Sequence, residues 1–196
     1  MGPEWDQQGG KQMPIPGIQG MEHVGLTVPN LQEACDFFES ILGAEVLFTA
    51  ATDFRNDDSD WMTTHLNIHP RAVVKEFRYV RMRNGTNLEL FEYSSPDQKT
   101  VLPKNSDVGG YHLAFYVDDI YAAVKFLKDN GVKVLDEPTV YTDGPNLGLT
   151  WCYFMAPWGL QLEVVSAPKG TAFDNEAKQA GKRRLFDPSR PKETLI

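Results

Sequence analysis

MEHVGLTVPNLQEACDFFESILGAEVL, residues 21–47, decides the fold, because it returns as GYHLAFYVDDIYAAVKFLKDNGVKVL at residues 110–135. With one residue deleted in the second copy, His23 lies on His112, Leu26 on Phe115 and Val28 on Val117. Leu31 then lies on Ile120, Ala34 on Ala123, Phe37 on Phe126, Gly43 on Gly131, and Val46-Leu47 on Val134-Leu135. Apolar positions, glycine and histidine stay in phase throughout, which is the mark of an internal duplication. Each copy opens with a histidine on an alternating segment and closes with a glutamate on another: Glu89 in NLELFEY and Glu163 in GLQLEVV.

Working outward, residues 22–28 alternate as a strand. A helix follows, with Asn30 as N-cap, Glu33 in capping-box position, an apolar stripe of Leu31, Ala34, Phe37, Phe38 and Ile41, and Gly43 as its stop. Strands are expected at 44–49, 75–83 and 86–93, the last two joined by Asn84-Gly85, a hairpin turn signal. The second copy predicts a strand at 111–117, a helix at 119–130 and strands at 132–136, 149–155 and 160–166, with Pro157-Trp158-Gly159 as the final turn. The reading is an α+β chain of two tandem βαβββ modules. Residues 1–19 form a flexible arm, 20–95 the first module, 96–109 a linker, 110–167 the second module, and 168–196 an extended tail. Within the first module, residues 50–74 are rich in acids, Asn and Pro and read as an excursion, a lid or dimer contact.

Composition removes several classes of function. A net charge of −8 offers no electrostatic footprint for nucleic acid or for an anionic membrane surface. There is no apolar run of spanning length, and the polar, Gly/Pro-rich start is not a signal peptide. Cys35 and Cys152 fall in helix and strand patterns rather than in a disulfide framework, so a reducing, cytoplasmic setting is expected.

Strand alternation then sorts the acidic candidates. The helix of each module must cover the apolar-rich face: Val24, Leu26 and Val28 in one, Leu113, Phe115 and Val117 in the other. His23 and His112 are left on the opposite faces. Leu88 and Leu90 turn to the helix, so Glu89, Phe91 and Tyr93 face the same side as His23, and Glu92 does not. Leu160, Leu162 and Val164 likewise turn Gln161 and Glu163 toward the face of His112. Two imidazoles and two carboxylates suit one divalent ion, Ni, Zn, Co, Mn or Fe, and buried carboxylates are costly without a cation. A metal holding two adjacent substrate oxygens acidifies the neighbouring C–H and stabilises an enediolate. Thr27, Phe91, Tyr93, Tyr116 and Gln161 share the histidine-bearing faces and are the expected substrate contacts.

Other candidates read as structural. His65 and His69 have helical ligand spacing, but no glutamate follows His65 as a zincin motif requires. Trp151, Tyr153, Phe154 and Trp158 read mostly as core and hairpin packing, with a pocket lining the alternative for some of them, and the basic run at 182–184 reads as a solvated patch.

The residues quoted above resemble the vicinal oxygen chelate superfamily, which includes glyoxalase I, methylmalonyl-CoA epimerase, extradiol dioxygenases and the fosfomycin and bleomycin resistance proteins. The resemblance spans about residues 20–166 and rests on HVGLTVPNLQEACDFFESILG, NLELFEY, GYHLAFYVDDIYAAVKFLKDNGVKVL and FMAPWGLQLEVV. It implies a curved, barrel-like mixed sheet around a central metal held by His23, Glu89, His112 and Glu163. It implies an isomerase, epimerase or glyoxalase-type lyase that acts on a small α-hydroxycarbonyl-like substrate through a metal-bound enediolate, with Glu163 the first choice as proton carrier and Glu89 its partner. Glu89 separates this reading from an Fe(II) ring-cleaving dioxygenase, and from a bleomycin-resistance-like binding protein that lacks the metal set. The ending PWGLQLEVVSAPKG is similar to a branch holding sugar- or cyclitol-type epimerases. A homodimer is expected, because exposed module edges and the excursion invite pairing.

Overall fold

The computed structural model describes residues 15–18, 20–51, 59–83 and 86–181. The Asn84-Gly85 turn, most of the N-terminal arm and the basic run at 182–184 lie outside these residues. The first module runs β1 (His23–Thr27), α1 (Leu31–Leu42), β2 (Glu45–Ala51), α2 (Trp61–Leu66), β3 (Val73–Arg81) and β4 (Asn87–Ser94). The second runs β5 (Leu113–Tyr116), α3 (Ile120–Asp129), β6 (Lys133–Val134), β7 (Thr139–Val140), β8 (Thr150–Met155) and β9 (Gln161–Ser166), and α4 (Ala172–Gln179) follows it.

Both modules build their sheets in the same way. The opening strand pairs in parallel with the closing strand, β1 with β4 and β5 with β9, and the closing strand pairs antiparallel with the one before it. The first sheet has the order β1-β4-β3-β2 and the second β5-β9-β8-β6, with β7 also on β8. A parallel first-to-last pair needs a crossover, and α1 and α3 supply it. The helices start at equivalent caps: the Asn30 side chain accepts from the Glu33 N–H, and Asp119 accepts from the Tyr121 and Ala122 N–H groups. Gly43 and Gly131 end or follow them at positive φ, which only glycine adopts without strain.

The apolar faces of both sheets turn to their helices and merge into one core. Leu26, Val28, Leu88 and Leu90 of the first sheet, and Phe154, Leu162 and Val164 of the second, lie in one cluster with Phe38, Ile120, Val124 and Leu127 of the helices. Trp158, in the β8–β9 turn, joins the modules by ring contacts with Phe37 (5.6 Å) and Phe38 (5.9 Å). Glu92 confirms which face is which. Its carboxylate reaches to the helix side, accepting from the Leu31 N–H at 2.9 Å and from Lys75 at 2.9 Å.

Three expectations change. A single barrel-like sheet is not formed: among the described residues no strand pair links the two sheets, because the modules join through helices and Trp158 rather than edge to edge. The described part of the excursion carries regular elements, since β2 continues to Ala51, α2 occupies Trp61–Leu66 and β3 begins at Val73. The tail is not wholly extended. Thr171 caps α4 by accepting from the Asp174 N–H, and Ala172 and Phe173 donate to the Leu147 and Pro145 carbonyls. Gly148 allows this close approach: a Cβ there would lie 2.7 Å from the Gly170 carbonyl oxygen.

The neighbouring N–H and ammonium hold the Glu92 carboxyl below its ordinary range, so its stabilising effect is present at neutral pH and is lost as pH falls through that lowered value. Glu92→Ala is expected to cost about 1 kcal/mol, or roughly 2–4 °C in melting temperature for a chain of this size. Thermal melts should show the gap at pH 7 and its near-disappearance at pH 3. A gap unchanged with pH would mean that packing, not charge, makes the contribution.

Candidate metal centre

The duplication delivers two copies of one arrangement. At the start of β1, His23 Nε2 lies 3.2 Å from Glu89 Oε2 on β4, and just before β5, His112 Nε2 lies 3.1 Å from Glu163 Oε2 on β9. The parallel pairing explains this, since Gly25 pairs with Glu89 and Ala114 with Glu163, placing each glutamate diagonally beside its histidine. The side chains of His23 and His112 are 36% and 34% exposed, while Glu89 and Glu163 are 18% and 12% exposed. The carboxylates are thus sunk in the sheet faces with the imidazoles above them.

Each pair has a third member that sequence reasoning missed. Tyr79 on β3 stands opposite Glu89, and Tyr153 on β8 stands opposite Glu163. Tyr79 packs edge-on to His23, with centroids 5.6 Å apart, and Tyr153 edge-on to His112 at 5.1 Å. The Tyr79 hydroxyl also lies 3.4 Å from His23 Nδ1. Burial first, and then the adjacent glutamate, push both tyrosines above their ordinary pKa, so they remain phenols. The signal was in the sequence: the same number of residues separates Tyr79 from Tyr153 as Glu89 from Glu163.

The two sets remain two. Among the described residues no three of His, Cys, Asp and Glu gather closely enough to hold one ion. The expected ligands His23, Glu89, His112 and Glu163 therefore do not gather into one cluster; they stand as two His–Glu pairs, one on each sheet, each a candidate half-site. Thr27 and Tyr93 line a cleft beside the first. Phe91 is half-buried, stacked on Tyr93 at 5.4 Å. Tyr116 and Gln161 are half-buried on the second sheet and do not line that cleft. His65 is structural, stacked on Trp61 at 4.5 Å.

The sequence of residues 20–164 matches the model of the Glyoxalase/Bleomycin resistance protein/Dioxygenase superfamily. The chain belongs to this superfamily. It is 43% identical to a 2-epi-5-epi-valiolone epimerase of Actinomyces sp., over 89% of this chain and 91% of that one. It is 32% identical to the mitochondrial methylmalonyl-CoA epimerase of Dictyostelium discoideum, over 61% of this chain and 62% of that one. The fold is that of a glyoxalase family protein of Bacillus cereus, with a TM-score of 0.62 over 79% of this chain and 98% of the other at 20% identity. Among superfamily members the chain therefore stands with epimerases, and it is an enzyme.

The half-sites fit a cation. His23 Nδ1 lies against the Glu22 carboxylate as well as near Tyr79. With Nδ1 against Glu22, His23 turns Nε2 toward Glu89 at 3.2 Å, a separation that a proton or a metal ion between the two makes favourable. An imidazole oriented by a carboxylate on its other nitrogen is also the usual arrangement of a metal-binding histidine. In the second half-site burial pushes the Glu163 carboxyl up, with His112 pulling it down less strongly.

Removing the Glu163 charge should accordingly stabilise the metal-stripped protein. A raised carboxyl pKa destabilises the native state at neutral pH, and this vanishes once the group is protonated in both folded and unfolded chains, below about 4.5. Thermal melts after chelation should place Glu163→Gln above wild type at pH 7, with the advantage shrinking at pH 4. A variant melting below wild type at pH 7 would show that His112 alone satisfies the carboxylate.

Proposed function

We propose that this chain is a divalent-metal-dependent epimerase of a small polyhydroxylated ketone of the valiolone type, working by proton transfer at the carbon beside the carbonyl. The observation that carries the reading is the pair of His–Glu half-sites at equivalent points of the duplication, in a chain 43% identical to a valiolone epimerase. His23, Glu89, His112 and Glu163 would hold the ion. A divalent ion there polarises the substrate carbonyl and so acidifies the adjacent C–H. Glu163, set in a poorly solvated position with its basicity raised, takes that proton, leaving an enediolate on the substrate. Glu89, starting as the protonated acid on the opposite face, gives its proton to that carbon and inverts the centre. Glu163 then loses its proton to water and Glu89 takes one up, which restores the starting state. Tyr79 and Tyr153 stay protonated and hold the imidazoles and carboxylates in place.

A second copy of the chain is part of this reading. The helix-side faces of both sheets are committed to the common core, so both His–Glu faces look away from it. Those faces carry half-exposed aromatics, including Phe48 at 48% exposure stacked on Tyr79 at 5.1 Å. A two-fold dimer in which the first half-site of one copy meets the second half-site of the other completes the ligand set twice and covers these rings.

The chelated full-length protein should take up one divalent ion per chain from Mn, Co, Ni or Zn, and Glu89→Gln should weaken that uptake by more than about tenfold. With 2-epi-5-epi-valiolone in deuterated water, wild type should exchange the C–H beside the carbonyl and Glu163→Gln should not. Full exchange by the variant would rule out the assigned base.

Subunit sharing has its own test. His23→Ala and His112→Ala should each be inactive alone. Mixed by co-expression, they should recover roughly a quarter of wild-type activity, as random pairing in a two-fold dimer predicts. No recovery would place both half-sites of a working centre in one chain.

A further inference from the structure

A cleft of about 560 Å³ opens between the end of the first sheet, the segment after α2 and the residues following β4, within the size range of small-molecule sites. Thr27 and Tyr93 line it from the sheet, Asn67 and His69 from the segment after α2, and Asp97 and Gln98 from the stretch beyond β4. Gly25 pairs with Glu89 and Thr27 with Phe91. The cleft therefore begins two residues, ~7 Å, beyond Glu89 on the same sheet face.

Its chemistry is selective. The Arg71 N–H donates to His69 Nδ1 at 3.1 Å, which places the proton of a neutral ring on Nε2 and leaves that N–H as a donor. Asp97 accepts from the Ser95 hydroxyl and keeps further acceptor capacity. Gln98 donates to the Tyr93 carbonyl at 3.3 Å, and its own carbonyl oxygen remains an acceptor. Thr27 and Tyr93 add hydroxyls that both donate and accept. Among the described residues no lysine or arginine lines the cleft, and Asp97 contributes a negative charge. A phosphate or carboxylate placed here meets a like charge, whereas a neutral hydroxyl finds both a donor and an acceptor.

We propose that this cleft is the specificity subsite of the enzyme, taking the hydroxyl groups of a neutral polyol between the His69 Nε2–H and the Asp97 carboxylate while the reacting carbon lies at the His–Glu half-sites. The proposal rests on the epimerase reading above and assigns a role to the excursion, which carries His69. It also sets this chain apart from enzymes of coenzyme A thioesters, whose phosphates would meet the Asp97 carboxylate there.

Kinetics and amide shifts test it on the metal-loaded full-length protein. His69→Ala and Asp97→Asn should each raise KM for 2-epi-5-epi-valiolone about tenfold, the usual worth of a lost polar contact to a ligand, while metal affinity holds. His69→Gln, which keeps a donor, should recover part of the loss. Titration with the ketone should shift the backbone amides of residues 67–72 and 95–98, and methylmalonyl-CoA should leave them unmoved. Unchanged KM in both variants, or unmoved amides at saturating ketone, overturns the subsite even where the C–H exchange proceeds. Amides that shift while no C–H exchanges would instead keep the subsite and overturn the epimerase.

Discussion

Each sheet of this protein can be covered by its helix on one face only, and that constraint orders everything else. Alternation sends Leu88 and Leu90 into the core and Glu89 out of it, and it does the same with Leu162, Val164 and Glu163. The core forms from the covered faces of both modules at once. The uncovered faces are then left with the chemistry: a histidine, a glutamate and a tyrosine on each, in a setting where the carboxylate is poorly solvated and the imidazole is within reach. Burying apolar surface and exposing the reactive groups are one event in this fold.

The separation of the half-sites follows from the same packing. Had β1 and β5 met edge to edge, one chain would have wrapped a single trough. Trp158 instead packs against both Phe37 and Phe38, and the helix-covered faces of the two sheets share one core. Half-exposed rings such as Phe48 on an otherwise well-ordered sheet face are the mark this arrangement leaves.

Much of this was legible in the sequence, and the residues show why. Asn30, Gly43 and the Leu31–Phe38 stripe specify α1 locally, so its limits match to a residue. The faces of His23, Glu89, Glu92, His112 and Glu163 followed from period-two alternation, which a register slip would have reversed. Local pattern does not encode how two modules dock, so the expected barrel became two sheets. α4 was missed because its composition is polar and prolines surround it, although Thr171 followed by Asp174 three residues later is a capping signal. Tyr153 looked like hairpin packing because it sits among Trp151 and Phe154. Only its place in the duplication, equivalent to that of Tyr79, marks it.

The two closing strands are not held equally firmly. On β4, three residues beyond Glu89, Glu92 ties the strand to the start of α1 and to Lys75 through two charge-assisted hydrogen bonds. The equivalent residue on β9 is Ser166, and its hydroxyl makes a neutral bond of 3.3 Å to the Asp118 carbonyl. Duplication copied the histidine and the glutamate but not the anchorage of the closing strand. A tie through a carboxylate weakens once that carboxylate is protonated, and a hydroxyl bond does not, so acid loosens the join to the helix in the first module and leaves its counterpart in the second untouched.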